Sequence, residues 1–359
     1  MNMYVDSIYL DSIPRHQYHS LWFAHLAQLT TYEENTALRA VYYFPGDTMA
    51  PTFAEATAVK ATGSHTYTAH FPPEWCIGSV PHGGVVTATV LRAAATHFGT
   101  TLAKQNQPHT ITLHAEFLRR TRAGPATLTV RDAKLGRQTS TVHVALAQDG
   151  RDEVVVYVTN ANMAAERGLS LRTGWAPDPP LPPAPRDLAR LAAEGEDADW
   201  VVLRNMPHAE RRKAVSRVLM HVPRAGQARP GVVDEWVRLA SGERFPMEGI
   251  GFVADVWPQM IEGLMRQQQG AAGNKSEDQS WLWYPTLVLN LDIKKVLPPE
   301  GVEWLHVRVH LKQIKNGRYD YEVIVYDDTG DMVALSHHVA MVLDGRRNTG
   351  ARGAGESKI

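Results

Sequence analysis

The position best suited to chemistry is Asp255, in Gly249-Ile250-Gly251-Phe252-Val253-Ala254-Asp255-Val256-Trp257-Pro258. A carboxylate among Phe252, Val253, Val256 and Trp257 is costly unless it is hydrogen-bonded or needed for function. It could serve as a base that takes a proton from water. It could equally cap a helix whose first turn accommodates Pro258, because first-turn N–H groups have no intrahelical partner. The residues alone leave both uses open. A second candidate is His82-Gly83-Gly84, followed by Val85. Paired glycines let a ligand approach the backbone, and the N–H groups of a helix start favour an oxyanion or a phosphate. A simple turn is the commoner reason for two glycines together.

Other chemistries lack their signatures. Cys76 has no basic neighbour in sequence and reads as a small core residue. There is no Gly-x-Ser-x-Gly elbow, phosphate loop or dinucleotide fingerprint. The 16 histidines are scattered without cysteine or acidic partners at regular intervals, so no metal ligand set is expected. Arg119-Arg120 and Lys294-Lys295 could meet phosphates, although a solvated strand end explains either pair taken alone.

Both candidates open apolar stretches, and the stretches look like copies. Gly83-Gly84 opens residues 85–98, while Gly249-Ile250-Gly251 opens residues 252–265. Strand-like runs follow at 110–120 and 286–295, then Gly136-Arg137 and Gly317-Arg318, then hairpins ending near Val158 and Leu343. The second copy has an extra loop at 269–280, rich in Gly, Gln and Asn. Four residues past Gly84 lies Ala88, and four past Gly251 lies Asp255. An acid on one copy only suits a single site built on a duplicated scaffold.

A chain of 359 residues with 44% hydrophobic content can bury two ordinary cores. Its 37 Lys and Arg against 38 Asp and Glu leave a net charge of −1, which argues against a nucleic-acid partner. One cysteine excludes an intramolecular disulfide and fits a reducing compartment. The first ten residues lack the basic and apolar regions of a secretory signal, and no apolar run is long enough to span a membrane.

The organisation expected is an N-terminal extension (1–50), a first unit (51–172), a proline-rich semi-rigid linker (173–198), a second unit (199–345) and a flexible tail (346–359). Residues 85–98 are apolar on every side, as in a buried helix. Strands in hairpin order follow, at 111–118, 126–133, 140–147 and 154–159. One buried helix before antiparallel strands, without βαβ alternation, means an α+β fold with a sheet wrapped around a helix, the hotdog fold. Two copies predict a tandem double hotdog, its sheets joined edge to edge so that neither is left open.

Trp75-Cys76-Ile77-Gly78, Pro81-His82-Gly83-Gly84 and Glu116-Phe117-Leu118-Arg119-Arg120 before Gly124-Pro125 resemble the fungal thioesterase-like superfamily, relatives of the acyl-CoA thioesterase II double hotdogs. The resemblance covers about residues 53–345. It implies that Asp255 activates water, that Thr286 helps hold that water, and that a Gln stands on the last strand. Here the alignment puts His338 in place of that Gln, so activity could depend on pH or the reaction could differ. The oxyanion would meet backbone N–H groups of His82, Gly83, Gly84 and Val85.

The function expected is therefore hydrolysis of acyl-CoA or a carrier-bound acyl group, with no metal or cofactor beyond coenzyme A as part of the substrate. An Asp255–His338 acid–base pair in a hydratase, dehydratase or isomerase, and a non-catalytic acyl-CoA-binding protein, are the alternatives. A homo-oligomer stays open. The ending Ser357-Lys358-Ile359 is one residue from the Ser-Lys-Leu peroxisomal signal, so cytoplasm and peroxisome are both expected addresses.

Overall fold

A computed structural model describes residues 50–204, 206, 208–257, 260–271 and 281–349. The N-terminal extension, Pro258, most of the 269–280 loop and most of the tail, including Ser357-Lys358-Ile359, lie outside them. The chain runs through α1 (Phe53–Ala56), β1 (Val59–Ala61), β2 (Thr66–Phe71), β3 (Cys76–Ile77), β4 (Val80–Pro81) and α2 (Gly83–Gly99). Then come β5 (His109–Phe117), β6 (Gly124–Lys134), β7 (Thr139–Gln148) and β8 (Arg151–Ala161). After α3 (Leu188–Glu194), β9 (Trp200–Val202), β10 (Val218–Pro223) and β11 (Val232–Leu239) come α4 (Ile250–Val253) and α5 (Met260–Ala271). The last strands are β12 (Leu282–Trp283), β13 (Thr286–Ile293), β14 (Leu305–Lys315), β15 (Arg318–Tyr326), β16 (Met332–Met341) and β17 (Leu343–Asp344).

Thirteen strands form one antiparallel sheet in the order β1-β2-β6-β7-β8-β5-β13-β16-β15-β14-β11-β10-β9. At its centre β5 pairs with β13, with His114 opposite Asn290. From there the order runs outward alike through β8, β7, β6, β2 and β1 on one side and β16, β15, β14, β11 and β10 on the other, where β9 is added. β5 thus pairs with β8 and not with β6, which corrects the hairpin order expected. This is the double hotdog expected, with a further correction: the sheet keeps two ends. They are β1 and β9, three residues each, and so short an edge offers little to pair with. Alternation explains the layering. On β7, Val142, Val144 and Leu146 turn into the core while their neighbours are half-exposed.

The central helix α2 is buried along almost its whole length. Its threonines are tolerated because Thr87 and Thr89 donate to the carbonyls of Gly83 and Val85, four residues back. The second copy departs from expectation here. Instead of one helix over 252–265 it has the single turn α4 and then α5, with Ala254 and Asp255 in a turn between them. Proline at 258 has no N–H for the carbonyl of Ala254, which gives a reason in the sequence for the break.

α2 and α4 cross at their glycines. A Cβ on Gly84 would stand 2.8 Å from Phe252 Cα and 3.0 Å from Asp255 Cβ. One on Gly251 would stand 2.9 Å from Thr87 Cγ2 and 3.2 Å from the backbone nitrogen of Ala88. The contact is reciprocal: each glycine abuts the position four residues past its counterpart. One hydrophobic core accordingly runs through both halves, from Val85 and Val144 to Phe252 and Val323.

The proline-rich segment is not a free spacer. Arg308, fully buried, makes a two-pronged pair with Asp234 (2.8 and 2.7 Å) and donates to the carbonyls of Pro179 and Pro180. Trp200 Nε1 donates to Pro183 O at 2.8 Å. α3 forms as expected, capped by Asp187 and ended by Gly195 at φ 75°. Residues 346–349, expected within the flexible tail, form a helical turn whose buried Asn348 bonds Ile77 O and Ser79 N. Among the described residues no helix is long and apolar enough to cross a membrane.

The crossing predicts an asymmetry. Gly84→Ala drives its methyl into backbone, whereas Gly251→Ala meets mainly the side chains of Thr87 and Leu91 (2.9 and 3.0 Å), which can shift. Gly84→Ala should cost about 1–3 kcal/mol and Gly251→Ala less, read as shifts in urea midpoint at constant slope.

Candidate active site

Asp255 sits at that crossing, in the turn after α4, with its side chain 9% exposed. It does not cap a helix, because Val256 and Trp257, which follow it, are not helical. Its Oδ1 accepts from Tyr321 Oη at 2.9 Å and from Thr286 Oγ1 at 3.4 Å. Its Oδ2 lies against Gly83, where an added Cβ would be 2.8 Å away. Three elements thus converge on one carboxylate: β13 brings Thr286 at an irregularity in its pairing, β15 brings Tyr321, and the start of α2 brings Gly83.

Tyr321 was not among the residues expected from sequence. Burial and the Asp255 charge together hold its phenol well above its ordinary pKa, so it remains a donor. A signal existed: in Arg318-Tyr319-Asp320-Tyr321 strand alternation puts both tyrosines inward, and a buried phenol needs a partner.

His338 comes to the same place from β16, directly across from Tyr321 and stacked on it at 4.2 Å between ring centroids. Its Nδ1 is 3.7 Å from Asp255 Oδ1, beyond hydrogen-bond range. The proton can be assigned from the partners. Ser336 Oγ donates its one hydrogen to Asn290 O at 2.7 Å, so it must accept from His338 Nε2, also at 2.7 Å. Nδ1 is therefore a lone pair, buried and without a hydrogen-bond partner among the described residues. Burial pushes the His338 pKa down to about 4, the Asp255 charge opposing. The titration near neutrality expected of this residue is thus moved well into acid. His337 faces the other side, half-buried, as alternation requires.

His82 is the N-cap of α2, and its Nδ1 accepts from Gly84 N at 3.1 Å. That corrects one expectation, since the Gly84 N–H is already taken by this ring. The His82 N–H goes to Trp75 O and the Val86 N–H to His82 O, which leaves Gly83 and Val85 as the remaining first-turn donors. The Val85 side chain is fully buried, so only its backbone could serve. His82 Nδ1 also lies 3.5 Å from Asp255 Oδ2, and burial lowers the pKa of its ring.

The remaining candidates stay apart from this cluster. Burial pushes the Cys76 thiol up to about 12, which makes it a poor nucleophile. Lys295 is held by Asp327 and Asp331, and Arg119 and Arg120 donate to the carbonyls of Asp152 and Arg347.

The arrangement sets a carboxylate beside an imidazole lone pair at the start of a helix. Residues 71–161 match the model of the acyl-CoA thioesterase N-terminal domain, and residues 182–342 that of its C-terminal domain. The thioesterase-like protein TwmA of Talaromyces wortmannii is 38% identical over 339 residues, covering 85% of this chain and 96% of the relative. A hot dog protein of unknown function from Alicyclobacillus acidocaldarius superposes with a TM-score of 0.62 at 15% identity, covering 81% of this chain and 97% of its own. An acyl-CoA thioesterase II from Mycobacterium marinum does so at 0.51 and 18%, with the same coverage, and both likenesses concern the fold. With the two domain models matched in order and a near full-length relative in hand, the chain belongs to the acyl-CoA thioesterase family of thioesterase-like hydrolases.

Proposed function

We propose that the protein hydrolyses an acyl thioester, acyl-CoA or a carrier-bound acyl group, with water activated by Asp255. The observation that carries this reading is the pair of acceptors, the Asp255 carboxylate and His338 Nδ1, 3.7 Å apart at Oδ1, with Nδ1 lacking a hydrogen-bond partner among the described residues. A water that donates one proton to each is fixed in orientation, and its own lone pair is turned outward. Asp255 takes a proton as the water oxygen attacks the thioester carbonyl carbon. The carbonyl electrons move to oxygen, and the Gly83 and Val85 N–H groups are the donors proposed for that oxyanion. On collapse the C–S bond breaks, and the thiolate takes the proton back from Asp255. The products are a carboxylic acid and a thiol.

Thr286 and Tyr321 hold the carboxylate in place, and His338 orients the water. The hydratase, dehydratase and isomerase readings need His338 as an acid. Its one proton points to Ser336, away from Asp255, which weighs against them.

Asp255→Asn should fold as the wild type does and lose about 10²–10⁴-fold in kcat, read as thiol release from a panel of acyl-CoA thioesters. Wild-type turnover in that variant would sink the assignment. Tyr321→Phe should lower kcat by about tenfold with KM nearly unchanged, because the phenol positions the base and does not bind the acyl group.

His338 gives a pH test. Because its pKa falls to about 4, it is neutral throughout the physiological range. His338→Gln, whose amide oxygen still accepts from water, should therefore keep kcat/KM within about tenfold and leave the profile from pH 6 to 8 unchanged. The same shift sets a stability trend. The unfolded chain protonates this ring near the ordinary 6.5 and the folded chain only near 4, so its contribution is complete above 6.5 and lost as pH falls between the two. The difference in unfolding free energy between wild type and His338→Gln should change in that window and be flat above it.

A further inference from the structure

We propose that His65, His97 and Asp132 form a binding site for a divalent ion of the zinc class, separate from Asp255 and its partners. The three residues come from different elements of the first half. His65 immediately precedes β2, His97 lies in the last turn of α2, and Asp132 lies on β6, the strand paired with β2. His97 Nε2 is 3.0 Å from Asp132 Oδ1, and His65 Nε2 is 3.5 Å from Asp132 Oδ2. The ligand atoms all lie within 4.8 Å of one another. A tetrahedral ion at zinc–nitrogen and zinc–oxygen distances holds its ligand atoms about 3.3 Å apart, so a small contraction closes the set.

The outer nitrogens carry the argument further. His97 Nδ1 is 3.0 Å from Tyr67 Oη, and His65 Nδ1 is 2.9 Å from Ser64 Oγ. Each ring thus turns Nε2 to the same carboxylate while a hydroxyl oxygen engages Nδ1. With Nδ1–H donated to the hydroxyl, each Nε2 presents a lone pair, and this is how metal-bound imidazoles are oriented. Two imidazoles and a carboxylate suit zinc and its neighbours; calcium and magnesium prefer oxygen donors alone.

Burial is graded in a way that fits access. The His97 side chain is 0% exposed, Asp132 27% and His65 41%, so one face opens to water, which supplies a fourth ligand. A bound ion would clip the end of α2 to the β1–β2–β6 edge of the sheet. The ligands are 32 and 35 positions apart, in three elements, which is why no spacing in the sequence announces them. The same contacts without an ion would be an aspartate shared by two imidazoles, and the experiment separates the two.

The full-length protein, stripped with a chelator and desalted, is titrated with zinc sulfate by calorimetry and with cobalt(II) by visible absorption. One tight equivalent with a tetrahedral cobalt spectrum is expected, together with a zinc-dependent rise in melting temperature. His97→Ala would confound folding with binding, so the test rests on the two rim variants. His65→Ala and Asp132→Asn should each weaken zinc binding at least about tenfold and abolish the thermal shift. No saturable uptake by the wild type, or uptake whose affinity either variant leaves unchanged, overturns the proposal.

Discussion

Two helices can meet as closely as α2 and α4 do only where no Cβ stands between them. Gly84 and Gly251 satisfy that condition reciprocally, and most of the molecule follows from it. The close approach lets one hydrophobic core run through both halves, and it brings the turn after α4 against the start of α2. Residue 255 is thereby delivered to Gly83 by backbone packing. Its counterpart Ala88 is delivered to Gly251, where a continuous helix and a methyl group leave nothing to react. A symmetric crossing thus carries an acid on one side only.

Around Asp255 the polar groups are wired in a fixed direction. Asn290 O takes the Ser336 hydrogen, Ser336 takes the His338 hydrogen, and the imidazole lone pair that remains is turned towards the carboxylate. Tyr321 donates from the other side and packs flat on the same imidazole. Trp257 meets Tyr321 edge-on at 5.5 Å, so apolar surface encloses the cluster. In such surroundings each hydrogen bond is stronger and each missing partner more costly than in water. The His338 Nδ1 lone pair, buried and without a hydrogen-bond partner among the described residues, is therefore the informative feature.

The duplication and the buried helix were legible because they depend on local pattern: all-round apolarity for α2 and period-two alternation for β7. The full strand order was not, since β5 pairs with β8 and not with β6. Asp255, Thr286 and His338 were legible through the family resemblance, and the structure brings all three together. What escaped the sequence depends on contacts between distant segments. Tyr321 needed the β15–β16 register, the occupied Gly84 N–H needed the rotamer of His82, and the docking of the proline-rich segment needed the buried Arg308. The helix break at Ala254 and Asp255 is different. Pro258 signalled it, and the reading of Asp255 as a helix cap already placed a boundary there; the structure keeps the boundary without the cap.

The central claim is that Asp255 acts on water and not on the acyl carbon. A single turnover in ¹⁸O-labelled water, with enzyme in excess over an acyl-CoA that it cleaves, tests this most directly. The account predicts one solvent oxygen in the released acid and an unlabelled Asp255 peptide by mass spectrometry. Label in the Asp255 carboxylate, with an unlabelled acid from the first turnover, would mean a covalent anhydride and would contradict it.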